Sequence, residues 1–207
     1  MGETLDGNYN LGSNEVSDVV LVPNAESDFY FTESTGTITN YIGTRKDVVI
    51  PSTINGISVK EIGSRAFRSK GLTSVVIPSS VIWIRYEAFY FNVLTSVSLP
   101  EGLVSIAHQA FSENKLTTLV IPNSVTYIGD AAFRHNKLTN LTLGTGVTIF
   151  ESWTFEYNQL TSVTIPSTVT SLGFATFRYN PLTSAQVASG RSYSSSAFAD
   201  GTVVTVY

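Results

Sequence analysis

A chain of 207 residues that is 43% hydrophobic and only 14% charged is long enough to bury a core and too apolar to stay disordered. Its net charge of -4 offers no basic field to phosphates or anionic lipid, so nucleic acid is not an expected partner. Cysteine is absent, which removes disulfides, thiolate nucleophiles and cysteine metal sites together, and no apolar run is long enough to insert into a membrane.

Residues 1–27 mix Gly, Asn, Asp and Ser without a period and predict a linker or loosely ordered arm, with Val19-Val20-Leu21-Val22 as a short strand. The opening Met1-Gly2-Glu3-Thr4 lacks the basic start and apolar run of a signal peptide. Over 28–47, Phe29-Tyr30-Phe31 and Thr37-Ile38-Thr39-Asn40-Tyr41-Ile42 flank Ser34-Thr35-Gly36, the pattern of a capping hairpin.

From 48 to 198 the chain repeats itself. Leu72, Leu94, Leu116, Leu138, Leu160 and Leu182 recur at a 22-residue step, and so do Phe67, Phe89, Phe111, Phe133, Phe155 and Phe177. A unit that short cannot bury its apolar face alone, so copies must stack into a solenoid. The first coil is five residues longer around Asn55-Gly56, which predicts a loop or small hairpin at the coil edge. Residues 199–207, with Thr202-Val203-Val204-Thr205-Val206-Tyr207, predict a closing strand.

Each coil opens on a segment such as Leu72-Thr73-Ser74-Val75-Val76-Ile77-Pro78, where alternating apolar residues describe a half-buried strand and Pro or Gly ends it. Stacked strands predict a mainly β fold with a parallel ladder at about 4.8 Å per coil. Val81 and Ile84, with their equivalents in later coils, supply further core anchors. Ala88, Ala110 and Ala132, then Thr154 and Thr176, precede the Phe column, where small side chains let coils approach. Asn92, Asn114, Asn136, Asn158 and Asn180 form a column suited to satisfying buried backbone at a coil corner, a structural role.

The unit L-T-S-V-x-I-P-x-x-V-x-x-I-x-x-x-A-F-x-x-N resembles the BspA-like, Treponema-type leucine-rich repeat of bacterial surface proteins, over about residues 48–198. The lead-in Tyr41-Ile42-Gly43 and the segment from Val49 to Gly56 share the resemblance. It implies a leucine-rich-repeat solenoid used for adhesion or protein recognition, at a cell surface or secreted; the missing signal peptide leaves a cytoplasmic setting open. Relatives often place Cys at the Asn column, so nothing about thiols carries over.

Positions that vary between otherwise regular copies are those the core leaves free. They hold Trp83, Arg85, Tyr86, Tyr90 and Phe91 in one coil, then His108, then Tyr127, Asp130 and His135. Ile149, Glu151, Trp153 and Tyr157 follow, and Phe174 and Tyr179 close the set. Glu87, Gln109, Ala131 and Ala175 vary with them, and Trp83, Tyr127 and Ile149 are expected on one face with Trp153 and Phe174 nearby. Trp, Tyr and Arg carry binding energy at interfaces, so these residues predict a contact stripe for a protein, ahead of a glycan. A passive spacer within a larger surface protein is the rival reading. More remote is water or ice ordering by Thr73, Thr95, Thr117, Thr139, Thr161 and Thr183, which also suit an ordinary strand.

Catalytic chemistry finds no footing in the sequence. His108 and His135 stand in different columns and match no metal-ligand spacing, and no phosphate-cradling loop or nucleophile elbow occurs. Glu113, Asp130, Glu151 and Glu156 read as scattered surface acids. The sequence therefore assigns no enzyme activity, no cofactor and no metal.

Overall fold

The repeated Phe residues stack. In the computed structural model, which describes residues 21–191 and 193–207, Phe67, Phe89, Phe111, Phe133, Phe155 and Phe177 lie face to face with centroids 5.0 to 5.7 Å apart. Tyr41 heads the column at 5.4 Å from Phe67, and Phe198 closes it at 6.0 Å from Phe177. All are buried, together with the Leu, Val and Ile columns, in one core along the axis.

A coil is held to its neighbours on two sides. On the Leu-Thr-Ser-Val side the parallel ladder is broken into short pieces. Asp47–Val49 pairs Ser74–Val76, which touches the next coil only at a Val76 to Ser98 bridge. Thr118–Val120 pairs Asn140–Thr142, and Ser162–Thr164 pairs Ser184–Val187, which pairs Val203–Val206. Where Pro51, Pro78, Pro100, Pro122 and Pro166 end other coils, Gly144 ends this one, because a Cβ there would stand 2.5 Å from the Pro122 carbonyl oxygen.

The longer ladder lies on the opposite side, in segments that the alternation pattern did not mark as strands. Phe29–Thr32, Thr37–Tyr41, Glu61–Ile62, Trp83–Ile84, Ser105–Ile106 and Tyr127–Ile128 form one six-stranded sheet in that order. Ile149–Phe150 and Ser171–Leu172 continue the same column as a separate pair. Two residues are too few to show a period of two, although the anchors Ile84, Ile106 and Ile128 were legible.

The ends are built differently from the coils between them. Phe29–Thr32 and Thr37–Tyr41 form an antiparallel hairpin whose second strand feeds the ladder in parallel with Glu61–Ile62. This cap reaches behind Asp28, into the segment read as a loose arm. Asn24 is buried, accepts from the Val49 N–H at 3.0 Å and donates to the Tyr41 hydroxyl at 3.3 Å. Val19 and Val20 lie outside the described residues, and Leu21 and Val22 form no strand. The long first coil carries its extra residues as a hairpin, Thr53–Ile54 against Ile57–Ser58, turned at Asn55 and Gly56 with φ of 52° and 75°.

The asparagine column does what its position implied. Asn136 accepts the Leu116 N–H at 3.0 Å and donates to the carbonyls of Phe111 at 3.0 Å and Phe133 at 3.1 Å, tying its own coil to the one before. Asn92, Asn114, Asn158 and Asn180 repeat the pattern. Thr154 and Thr176, in the Ala column, satisfy their hydroxyls on carbonyls three residues back at 2.7 and 2.8 Å. Among the described residues no buried side-chain polar atom lacks a partner.

Candidate functional site

The varied stripe occupies the arc that follows each short strand. The arc makes two turns per coil, each through a residue in the left-handed region. Those residues are Glu87, Gln109, Ala131, Trp153 and Ala175 in one column and Phe91, Glu113, His135, Tyr157 and Tyr179 in the next, with φ of 51° to 57°. None is Gly or Asn, the residues that adopt this conformation most readily. The backbone repeats while the side chains differ.

Several stripe positions face inward, a correction to the reading that they are free. Glu87, Ala131, Glu156 and Ala175 are buried. In the first turn column this leaves Gln109 half-buried and Trp153 exposed. Glu87 and Glu156 are the counter-ions of arginines one coil earlier, not surface acids. The Glu87 carboxylate lies 2.8 Å from Arg65 and 3.1 Å from Arg68, and Glu156 lies 2.5 Å from Arg134. Burial alone would raise the Glu87 carboxyl, but hydrogen bonds from Arg65 and Tyr86 and the charge of Arg68 hold it below the usual carboxylate range.

The fifteen residues predicted for contact are all at least partly exposed, but they do not form one apolar strip. Trp83 is half-buried under the Arg85 guanidinium, and Ser105 separates it from Tyr127 along the ladder. Arg85 in turn pairs with Glu61 at 2.5 Å. Tyr86 lies between the Arg65 guanidinium and the His108 ring, and His108 faces Asp130 at 4.0 Å. Tyr90 lies under Arg68 and beside the exposed Phe91. The amino-terminal part of the stripe is thus a set of internally neutralised arginines and rings.

The carboxy-terminal part differs. Tyr127, Ile149, Trp153 and Phe174 are 40 to 50% exposed. The strands bearing Tyr127 and Ile149 are adjacent, and Trp153 meets Phe174 edge to face at 6.2 Å. Glu151 stands between Ile149 and Trp153 in sequence, and Asp130 accepts the Ser152 N–H at 3.0 Å. One column further on, His135, Tyr157 and Tyr179 stack face to face at 4.4 Å per step, with Arg178 over Tyr179 and Glu113 at 3.9 Å from His135. Both clusters lie at the protein surface. Among the described residues no group of three or more His, Asp or Glu is placed to hold a metal ion. No helix there is long and apolar enough to cross a membrane.

Comparison with known proteins places this arrangement among others. A family model for the BspA type leucine rich repeat region matches residues 60–184 in six copies. A leucine rich repeat protein of T. pallidum superposes with a TM-score of 0.58 at 28% identity, over 78% of this chain and 91% of its own. A leucine rich cell surface protein of Faecalibacterium prausnitzii gives 0.58 at 28% identity, over 77% and 52%. The pneumococcal vaccine antigen PcpA gives 0.62 at 26% identity, over 74% and 43%. The chain spans about half the length of several solved structures it matches. No curated protein matches it. The comparisons indicate no catalytic family.

Proposed function

The chain belongs to the BspA-type leucine-rich repeat family, and on that premise we propose that it is a non-enzymatic binding module that recognises a protein at a cell surface. Contact is made by the carboxy-terminal part of the varied stripe, centred on Tyr127, Ile149, Trp153 and Phe174 and extended by His135, Tyr157 and Tyr179. The observation that carries this is the placement of Trp153, Tyr157 and Tyr179 on left-handed turn positions with their rings outside the core. A left-handed residue with a Cβ costs roughly 1–2 kcal/mol over glycine, and these rings return little of it in core packing. Large side chains kept there suit a surface whose energetics lie in a complex.

The stacking favours a protein over a glycan. Sugars bind aromatic residues through the ring face, and the faces of His135, Tyr157 and Tyr179 are turned on one another. What they present outward is edges and hydroxyls, which suit backbone and side chains of a polypeptide. The threonine column offers less. Its side chains are exposed, but Thr73, Thr117, Thr139 and Thr183 donate their protons to carbonyls of the preceding coil. Such hydroxyls keep only acceptor capacity toward water.

The test compares the parent with a Trp153→Ala, Tyr157→Ala, Phe174→Ala variant on an array of cell-surface and matrix proteins. We expect a partner bound by the parent and lost by the variant, with the thermal midpoint little changed, as for exposed positions generally. Retained binding with a large fall in stability would show that these side chains belong to the core and would overturn the proposal.

A further inference from the structure

Charge sorts the stripe into two parts. Arg65, Arg68, Arg85 and Arg134 are each paired with a glutamate of a neighbouring coil, Glu87, Glu61 or Glu156, at 2.5 to 3.1 Å. Around the Tyr127, Ile149, Trp153 and Phe174 cluster, by contrast, stand Asp130 and Glu151. Among the described residues neither has a Lys or Arg within ion-pairing distance. Asp130 faces only the His108 ring, at 4.0 Å, and uses one oxygen on the Ser152 N–H. Of the cations nearby in sequence, Arg134 is paired with Glu156, Lys137 stands two residues past His135, and Arg178 lies over Tyr179.

From this we infer that the partner presents a lysine or arginine beside an apolar side chain, the apolar group seated on Ile149, Trp153 and Phe174 and the cation held between Asp130 and Glu151. The inference rests on the binding-module reading above and adds the chemistry of the partner. Its ground is charge complementarity at an exposed apolar patch. Arg65, Arg68, Arg85 and Arg134 already have their carboxylates and Arg178 lies over Tyr179, whereas here two carboxylates border exposed rings without a Lys or Arg. Trp and Tyr beside a carboxylate are favourable surroundings for guanidinium and ammonium groups, through the ring face as well as the charge. The Tyr127 hydroxyl registers the same field: its pKa is raised by partial burial and then by the charges of Glu151 and Asp130.

The probe is a library of random peptides displayed on phage, selected on the immobilised full chain, with selected sequences then synthesised and measured in solution. We expect Lys or Arg next to Leu, Phe or Trp in the selected peptides, with binding lost on Trp153→Ala or Phe174→Ala. Asp130→Asn with Glu151→Gln should weaken binding on the order of tenfold, with a reduced salt dependence. The Asp130→Asn change keeps an acceptor oxygen for the Ser152 N–H. If that double variant is unstable, Glu151→Gln alone is measured, since its carboxylate makes no ion pair among the described residues. Peptides that need Trp153 and Phe174 but carry no cation, or bind the neutralised variant equally well, would overturn this inference and leave the binding module standing. Peptides indifferent to Trp153 and Phe174, or no selected peptides at all, would overturn both.

Discussion

The two sides of each coil obey different rules. On the strand side and at the asparagine corner, polar side chains serve the backbone: amides and hydroxyls bond carbonyls and N–H groups of the coil before. On the turn side the backbone is satisfied by its own coil-to-coil bonds, such as Phe133 N–H to the Thr154 carbonyl at 2.9 Å and His135 N–H to Glu156 at 3.0 Å. Most side chains there are released from that duty, with Asp130, Thr154 and Thr176 as exceptions. The regular side is uniform because its chemistry is obligatory, and the other varies because backbone closure does not depend on it.

The sharpest way to break this comparison is to remove one amide. Asn136→Ala orphans the Leu116 N–H in a buried corner, while the Phe111 and Phe133 carbonyls keep the amides of Asn114 and Asn158. At roughly 1–3 kcal/mol for an unsatisfied buried group, we expect a loss of about 2 kcal/mol, measured by urea unfolding. A loss no larger than that of the exposed Thr139→Val would erase the distinction between corner and face.

Acid offers a smaller, graded test. The folded-state pKa of Glu87 is depressed, so its contribution is complete above the unfolded value of about 4.3 and drains away as pH falls through the lower folded value. The stability gap between parent and Glu87→Gln should therefore be largest near neutrality and narrow below about pH 4. A gap independent of pH would mean that the carboxylate is not the charged partner of Arg65 and Arg68.

The smallest expected effect has the opposite sign. Gln109 is half-buried at φ 54°, and Gln109→Gly should relieve left-handed strain of about 1 kcal/mol while adding backbone entropy to the unfolded chain. We expect a net gain of roughly 0.5 kcal/mol, read from thermal or urea unfolding. A loss would show that this column contributes packing, as Ala131 and Ala175 do.

The 22-residue step made the Leu, Phe and Asn columns legible, because a stacked core repeats its side chains at the period of the coil. Tyr41 escaped notice at the head of the ring column, since it precedes Phe67 by 26 residues across the hairpin insertion. The left-handed turns escaped for a different reason: their usual markers, Gly and Asn, are missing from both columns. The cross-coil pairs Arg65–Glu87 and Arg134–Glu156 sit 22 residues apart and could have been found by reading charge, like hydrophobicity, at the repeat period. The same period sets Ser105 between Trp83 and Tyr127; what it does not reveal is which rings the arginines cover, so that, Phe91 apart, the exposed aromatic surface of the stripe gathers in the later coils.

The asparagine bonds also have a direction. Each amide reaches its own coil and the one before, never the one after: Asn92 to Phe67 and Leu72, Asn180 to Phe155 and Leu160. As a chain leaves the ribosome amino terminus first, every new asparagine meets partners already synthesised. The corner can close one coil at a time behind the advancing end, each winding serving as the template for the next.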